Sequence, residues 1–418
     1  MKHPTKLQVR LPGRIVGVLE QHKSGVISWT PDPSWQLNAL PALSADLALR
    51  TPFVTTNGLL PAWFENLLPE YDERQPKRLR QYYCERLKIK PTQSFRLLAA
   101  LGRDLPGAVE LSVVDEAPSG PLLNAGDADV EDAGMRFSSV AGMQLKFSMS
   151  LVQDGFVLGA QRGARQFLVK LPGRFDGSDG ADLVAVEHAT MNWARASGFE
   201  VPPHEIIGTE TLHGIDEGWV ASKTAFAIER FDRPANGTKV HIEDLCQALG
   251  LPPSCKYGEL EKGIFGAHAL VKFLTDQGGE PVGREAARRL GFIIASGNND
   301  AHLKNWSLLW GAGARPTLTP CYDLVATVAW PDTFGWGLPG GPSLPLRVGK
   351  EKHFRLLDNF ALNEFAKRAD QPWLLEEFFR GIDAALAAWP AIAPSAPTAM
   401  REALEEHWQK TPCIRDRR

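Results

Sequence analysis

A chain of 418 residues exceeds what one hydrophobic core usually serves, so two or three packed units are expected. With 44% hydrophobic and 23% charged residues it is neither disordered nor fibrous, and a net charge of −3 excludes bulk attraction to nucleic acid or to an anionic membrane. Its five cysteines are scattered with no C-x-x-C, which argues against a disulfide framework or a zinc site and for a reducing cytoplasm. The start, MKHPTKLQVRLPGR, lacks the apolar stretch of a signal peptide, and no run reaches the length that spans a bilayer, so no membrane association is expected.

In chain order, residues 5 to 30 alternate as short strands around the turn signals LPGR and KSG, and the helix-like AWFENLLPE and SFRLLAALGR follow. This predicts a small α+β domain over 1–116. Within it, residues 73 to 90 (ERQPKRLRQYYCERLKIK) carry Arg74, Lys77, Arg78, Arg80, Arg86, Lys88 and Lys90 around two tyrosines. The segment is a candidate for contacting phosphates, although a solvated helix face has the same composition. The Pro-, Gly-, Ala- and Asp-rich stretch within 117–134 has no apolar period and reads as a linker.

From 135 to 235 strands return, in SSVAGMQLKFSMSLV, RQFLVKLP and WVASKTAFAIERFD, with one helix, DLVAVEHATMNWARASG, among them. Leu183, Val186, Ala189 and Trp193 recur there at helical spacing, and Gly198 suits a C-terminal stop. From 236 to 418 the pattern is helical, including ELEKGIFGAHALVKFLTDQ, REAARRLGFIIASG and NEFAKRADQPWLLEEFFRGIDAALAAWP. The irregular PDTFGWGLPGGPSLP, residues 331 to 345, reads as neither helix nor central strand.

The stretch GNNDAHLKNWSLLW, 297 to 310, sets Asp300, His302, Lys304 and Asn305 between an apolar helix and the hairpin WSLLW/PTLTP, which closes at Tyr322-Asp323. Helix, Asp300, Asn305, strand, turn, strand, Asp323 is the order that phosphoryl transfer from ATP requires: one carboxylate to accept the attacking hydroxyl's proton, then an amide and a second carboxylate for Mg²⁺. Taken singly, these residues equally suit helix-terminating turns and caps. Upstream, Lys170 ends the apolar strand QFLVK, and Glu187 lies on the next helix, where it would orient the lysine. The loop SSVAGMQLK could lay backbone N–H groups over phosphates. There is no G-x4-G-K-[ST], and GWGLPG follows no strand and opens no helix, so P-loop and dinucleotide sites are excluded; without H-E-x-x-H, a metal hydrolase on Asp300, His302 and Asp323 ranks behind a kinase.

These segments together resemble the HipA-type serine/threonine kinase toxins of bacterial toxin–antitoxin systems over nearly the whole chain. The resemblance is carried by WFENLLPE, LLAALGRDLPGAVEL, SSVAGMQLK, FLVKLP, AIERFDR, EDLCQALGLPPSCKYG, NNDAHLKNWSLL and LTPCYDL. It implies an α+β, protein-kinase-like two-lobe fold, with a β-rich N-lobe, an all-helical C-lobe and an additional small N-terminal α+β domain, and ATP between the lobes. It implies Asp300 as catalytic base with His302 beside it, and Mg²⁺ on Asn305 and Asp323. ATP would meet Ala141, Gly142, Gln144, Lys146, Lys170 and Lys304, and the backbone of Glu229, Arg230 and Phe231 would face adenine. Ser139 aligns with an autophosphorylated loop serine whose phosphate would repel the nucleotide and unseat the loop; the adjacent Ser138 could share the role. Met143 and Leu145 depart from the small and acidic residues common in that loop. The resemblance further implies a translation component as substrate, such as the glutamyl or another aminoacyl-tRNA synthetase. The implied partner is a small helix-turn-helix antitoxin (HipB-like), and through it operator DNA. Two other roles remain open at this point: a corepressor partner whose kinase activity is dispensable, and a small-molecule kinase.

Overall fold

The computed structural model describes residues 5–34, 44–55, 58–71, 79–114, 145–159, 161, 163–171, 181–216, 218, 220, 222–311, 315–330 and 341–418. The linker 117–134, the GWGLPG stretch, Met143 and the phosphate-loop residues Ser138, Ser139, Ala141, Gly142 and Gln144 lie outside the described residues. Packing divides the chain into two units, Met1–Ala181 with His204–Pro253 and Leu309–Ala314, and Asp182–Pro203 with Ser254–Leu308 and Arg315–Arg418.

The first unit holds two sheets. In β1 (Lys6–Leu11) the strict alternation KLQVRL turns Leu7, Val9 and Leu11 into the core, as a half-buried strand must. It pairs antiparallel with β2 (Arg14–Gln21), which pairs with β3 (Ile27–Pro31) and so to β4 (Phe53–Thr55). With β5 (Glu110–Val113) on the other side of β1, the order is β4-β3-β2-β1-β5. WFENLLPE contributes a single helical turn, Ala62–Glu65, and SFRLLAAL a two-turn helix, Ser94–Leu101.

The second sheet comprises β6 (Leu145–Val152), β7 (Gly155–Leu158), β8 (Arg165–Leu171), β9 (His204–Gly208), β10 (Leu212–His213) and β11 (Thr224–Glu229), in the order β10-β7-β6-β8-β11-β9. Phe147, Met149, Phe167 and Val169 of this sheet belong to the same core cluster as Leu7, Trp29 and Phe95, so one continuous core serves both sheets. Tyr82 joins them edge-on to Phe147, with ring centroids 5.5 Å apart.

The second unit is built on helix Glu280–Ala295, packed against Ala267–Gly278 and Leu374–Ile392. Trp193, on helix Ala181–Ala196, is fully buried among Phe292, Trp389 and Trp408 and donates 2.8 Å to the carbonyl of Ala385. The helical pattern expected from Glu259 starts only at Ala267. Before it, Glu259–Leu260 and Gly263–Ile264 form a small antiparallel ribbon, because glycines at 258, 263 and 266 break the helical run. Likewise Ser343–Val348, whose first residues were expected to be irregular, pairs with Glu351–His353; a two-stranded ribbon leaves room for Pro345. The C-terminal half is therefore helical with short ribbons inserted.

Candidate active site

Helix Glu280–Ala295 aims its C-terminal end at the loop that carries Asp300, and that end is tied down carbonyl by carbonyl. The last carbonyls of a helix lack intrahelical partners. Here Ile293 O accepts from Asn298 N (3.1 Å), Ile294 O from His407 Nε2 (2.7 Å) and Ala295 O from Trp408 Nε1 (2.7 Å). Gly297 then turns the chain at φ +60°, and a Cβ there would lie 2.4 Å from Val328 Cγ1, so only glycine fits.

Beyond the turn the loop closes on itself. Asp300 N donates to Asn298 Oδ1 (3.0 Å), and Asp300 O accepts from His302 N (2.8 Å) and from Asn305 Nδ2 (2.9 Å). On the side chain, Asp300 Oδ1 accepts from the Tyr257 hydroxyl at 2.6 Å. Lys304 and His302 are buried, and Tyr322 Oη donates to Lys304 O (3.1 Å), tying the loop to the residue before Asp323. Asp323 adopts a left-handed φ of +57°, uncommon outside glycine and typically worth about 1–3 kcal/mol of strain, which is tolerated where the surroundings over-determine it. Helix Ala181–Ala196 is anchored to the same region: Thr190 Oγ1 accepts from Ala326 N (3.0 Å), one turn after the fully buried Glu187. The structure thus brings Asp300, His302, Lys304 and Asn305 into one loop, with Asp323 on a segment hydrogen-bonded to it.

The His302 imidazole is held well below its ordinary pKa, by burial first and then by the cations of Lys256 and Lys304, against the opposing pull of the Asp323 carboxylate. It is therefore neutral at pH 7. Its Nδ1 and the Nδ2 of Asn298 are buried without a hydrogen-bond partner among the described residues, a deficit that a polar ligand would relieve. Asn305 directs Nδ2 to the backbone, which leaves Oδ1 as the atom it offers a cation; with the Asp323 carboxylate, that donor set fits a hard divalent ion completed by phosphate oxygens and water. Among the described residues no three His, Cys, Asp or Glu side chains gather as an all-protein metal cage.

In the first unit, Lys146 on β6 and Lys170 on β8 are direct cross-strand partners and only 3% and 2% exposed. Directly opposed residues share a sheet face, and like charges placed so repel. Lys170 Nζ also lies 5.5 Å from the Phe226 ring centroid. At the end of β11, Glu229 pairs with Arg165 (2.6 Å), and Arg230 N donates to Gln166 O (2.8 Å). The Arg230 guanidinium turns into the protein, onto Asp232 Oδ2 (2.8 Å), Asp104 Oδ1 (3.1 Å) and Ser148 Oγ (2.9 Å).

Of the seven basic residues in segment 73–90, Arg80 and Arg86 are engaged within the fold. Arg80, 3% exposed, donates to Glu65 Oε1, Ser94 Oγ and the carbonyls of Pro69 and Pro91; Arg86 pairs with Asp216 and stacks on Tyr82. Lys88 and Lys90 are exposed, and Arg74, Lys77 and Arg78 lie outside the described residues. Two features went unread in the sequence. Tyr257 was legible only as part of a matching turn, and the partners of Arg230 were not singled out; apolar periodicity signals neither.

The HipA-like C-terminal domain family matches residues 138–389, and the HipA N-terminal domain family matches residues 7–112. A Sinorhizobium fredii protein named "Putative kinase Y4dM" is 31% identical over 96% of both chains. The "Serine/threonine-protein kinase toxin HipA" of Shewanella oneidensis is 26% identical over 73% of this chain and 71% of its own. Among solved structures, the HipA of Shewanella oneidensis MR-1, in complex with HipB and operator DNA, matches with a TM-score of 0.69 at 21% identity, covering 98% of this chain and 96% of that one, which shows the shared α+β, kinase-like fold. The chain belongs to the HipA family.

Proposed function

We propose that the chain is an ATP- and magnesium-dependent serine/threonine protein kinase, acting in the cytoplasm as the toxin of a type II toxin–antitoxin system. The observation that carries this reading is Asp300: a carboxylate on a loop whose backbone is fixed at both N–H and C=O, followed by Asn305 and, on a tethered segment, by Asp323. Asp300 would take the proton of the attacking serine or threonine hydroxyl as its oxygen bonds to the γ-phosphorus; the bond to the bridging oxygen breaks and ADP leaves. Lys146 and Lys170 would neutralise phosphate charge, with Glu187 orienting Lys170, and the backbone at 229–231 would meet adenine. Asn305 and Asp323 would hold Mg²⁺, which draws charge from the phosphates. Neutral His302 can donate one hydrogen bond to the phosphates without repelling the metal.

The substrate would be a translation component, such as the glutamyl or another aminoacyl-tRNA synthetase, and its modification would arrest growth and promote persistence. Phosphate on Ser139, or on Ser138, would switch the kinase off, and a helix-turn-helix antitoxin would restrain it and link it to operator DNA. Incubation with Mg-ATP followed by mass-spectrometric mapping tests this. Phosphate on Ser139 or Ser138 is expected in the wild type and not in Asp300→Asn, which should also lose toxicity while keeping its fold. A toxic, self-phosphorylating Asp300→Asn variant would overturn the mechanism.

A further inference from the structure

We propose that Tyr257 is a positioning residue for the Asp300 carboxylate. The inference rests on the kinase reading above and deepens it by naming what sets the side-chain orientation of the base.

The main chain of Asp300 is held by its own loop, through Asn298, His302 and Asn305. Those bonds act on the main chain and not on the carboxylate. The phenol of Tyr257, 43 positions upstream, reaches across and donates to Oδ1 at 2.6 Å, a short charge-assisted bond of the strong class. A general base acts only if its carboxylate points at the proton it will take, and small misplacements of such groups lower rates steeply.

Tyr257 is itself built into place. The carbonyl of the preceding residue, Lys256, accepts from Leu303 N at 2.9 Å, so the turn and the loop share a backbone hydrogen bond. The tyrosine ring packs edge-on to His302, with centroids 5.3 Å apart. After it, Gly258 turns at φ +76°, where a Cβ would lie 2.1 Å from Phe265 O; no other residue lets the chain pass there. Yet Tyr257 is 42% exposed. Core packing does not account for a tyrosine held so firmly with its ring half in solvent, whereas a fixed donor to a working carboxylate does.

The test is Tyr257→Phe in the full chain, which keeps the ring against His302 and removes only the O–H. Transfer of phosphate from ATP to the chain itself and to a serine-containing peptide is measured beside wild type and Asp300→Asn, together with binding of a non-hydrolysable ATP analogue and thermal melting. The expected result is a kcat lowered by about ten- to a hundred-fold, with KM for ATP, analogue affinity and melting temperature unchanged. Wild-type kcat in Tyr257→Phe, with Asp300→Asn inactive, overturns the positioning role and leaves the kinase reading standing. A loss of analogue binding or of thermal stability in Tyr257→Phe makes the residue structural and also overturns it. Undiminished transfer by Asp300→Asn, or none by wild type, sinks the kinase reading and this inference with it.

Discussion

His407 is wholly buried, with Nε2–H donating to Ile294 O behind the turn that presents Asp300, and burial pushes its pKa down to about 4. Above the unfolded value near 6.5 the ring is neutral in both states and contributes no pH dependence. Below it the unfolded chain takes up a proton that the folded chain refuses, so stability is lost as pH falls from about 6.5 towards 4, at about 1.4 kcal/mol per pH unit. His302, also depressed by burial, acts in the same direction. Urea unfolding at pH 6.5 and pH 5 should show His407→Gln losing about 1.6 kcal/mol less than wild type over that interval. Equal losses would mean that the ring is hydrated. The carbonyl that His407 satisfies is at the helix end from which the Asp300 loop departs.

At the scale of elements, the segment after β11 is clamped by charge. Asp232 accepts from Arg230, from Arg233 (2.9 Å) and from Gly107 N (2.9 Å), and Arg233 reaches Leu105 O (2.6 Å) and Asp104. Burial alone would push the Asp232 carboxyl up, but the two guanidiniums hold it far below the usual range; Asp104 is held down in the same way. Asp232→Asn leaves two buried cations facing Asp104 alone, and breaking such a network typically costs about 3–5 kcal/mol. Chemical unfolding should show that loss, and amide exchange should show faster opening at 229–233 and at 104–107; a change under about 1 kcal/mol would mean that water already screens the cluster. AIERFDR supplies Arg230, Asp232 and Arg233 but not their burial, because the partner Asp104 lies 126 positions from Arg230, and a buried charge reads like a solvated one until its partner is known. What was legible follows a local period: the alternation of β1, the helical stripe ending at Ala295, the lysine ending an apolar strand. The ribbon at Glu259–Ile264 was not, since two-residue strands are too short to show a period. The Asp300-to-Asn305 spacing was legible because both lie in one loop, whereas Tyr257 reaches Asp300 only through the fold.

On the scale of the whole molecule, the proposed antitoxin partnership raises the question of whether the chain itself would meet the operator DNA. The solved HipA it resembles was captured with HipB and operator DNA, and a net charge of −3 offers the duplex no general attraction. Of the basic segment, Arg80 is enclosed by acceptors and Arg86 is paired with Asp216, so neither is presented to phosphates. Lys88 and Lys90 of the same segment are exposed, and a corepressor role that runs through protein–protein contact need not involve the Asp300 loop. Each phosphate neutralised changes the slope of log K against log salt by about 0.9, so comparing the antitoxin alone with the antitoxin plus this chain counts the phosphates that the chain adds. We expect the slope to steepen by less than about one phosphate, and the Asp300→Asn complex to give the same operator affinity and slope as wild type while transferring no phosphate. A slope steeper by three or more would place residues 73–90 on the DNA. Loss of operator binding in Asp300→Asn would mean that phosphorylation and repression are one function, because a single carboxylate without a role in the protein–protein contact could then abolish both.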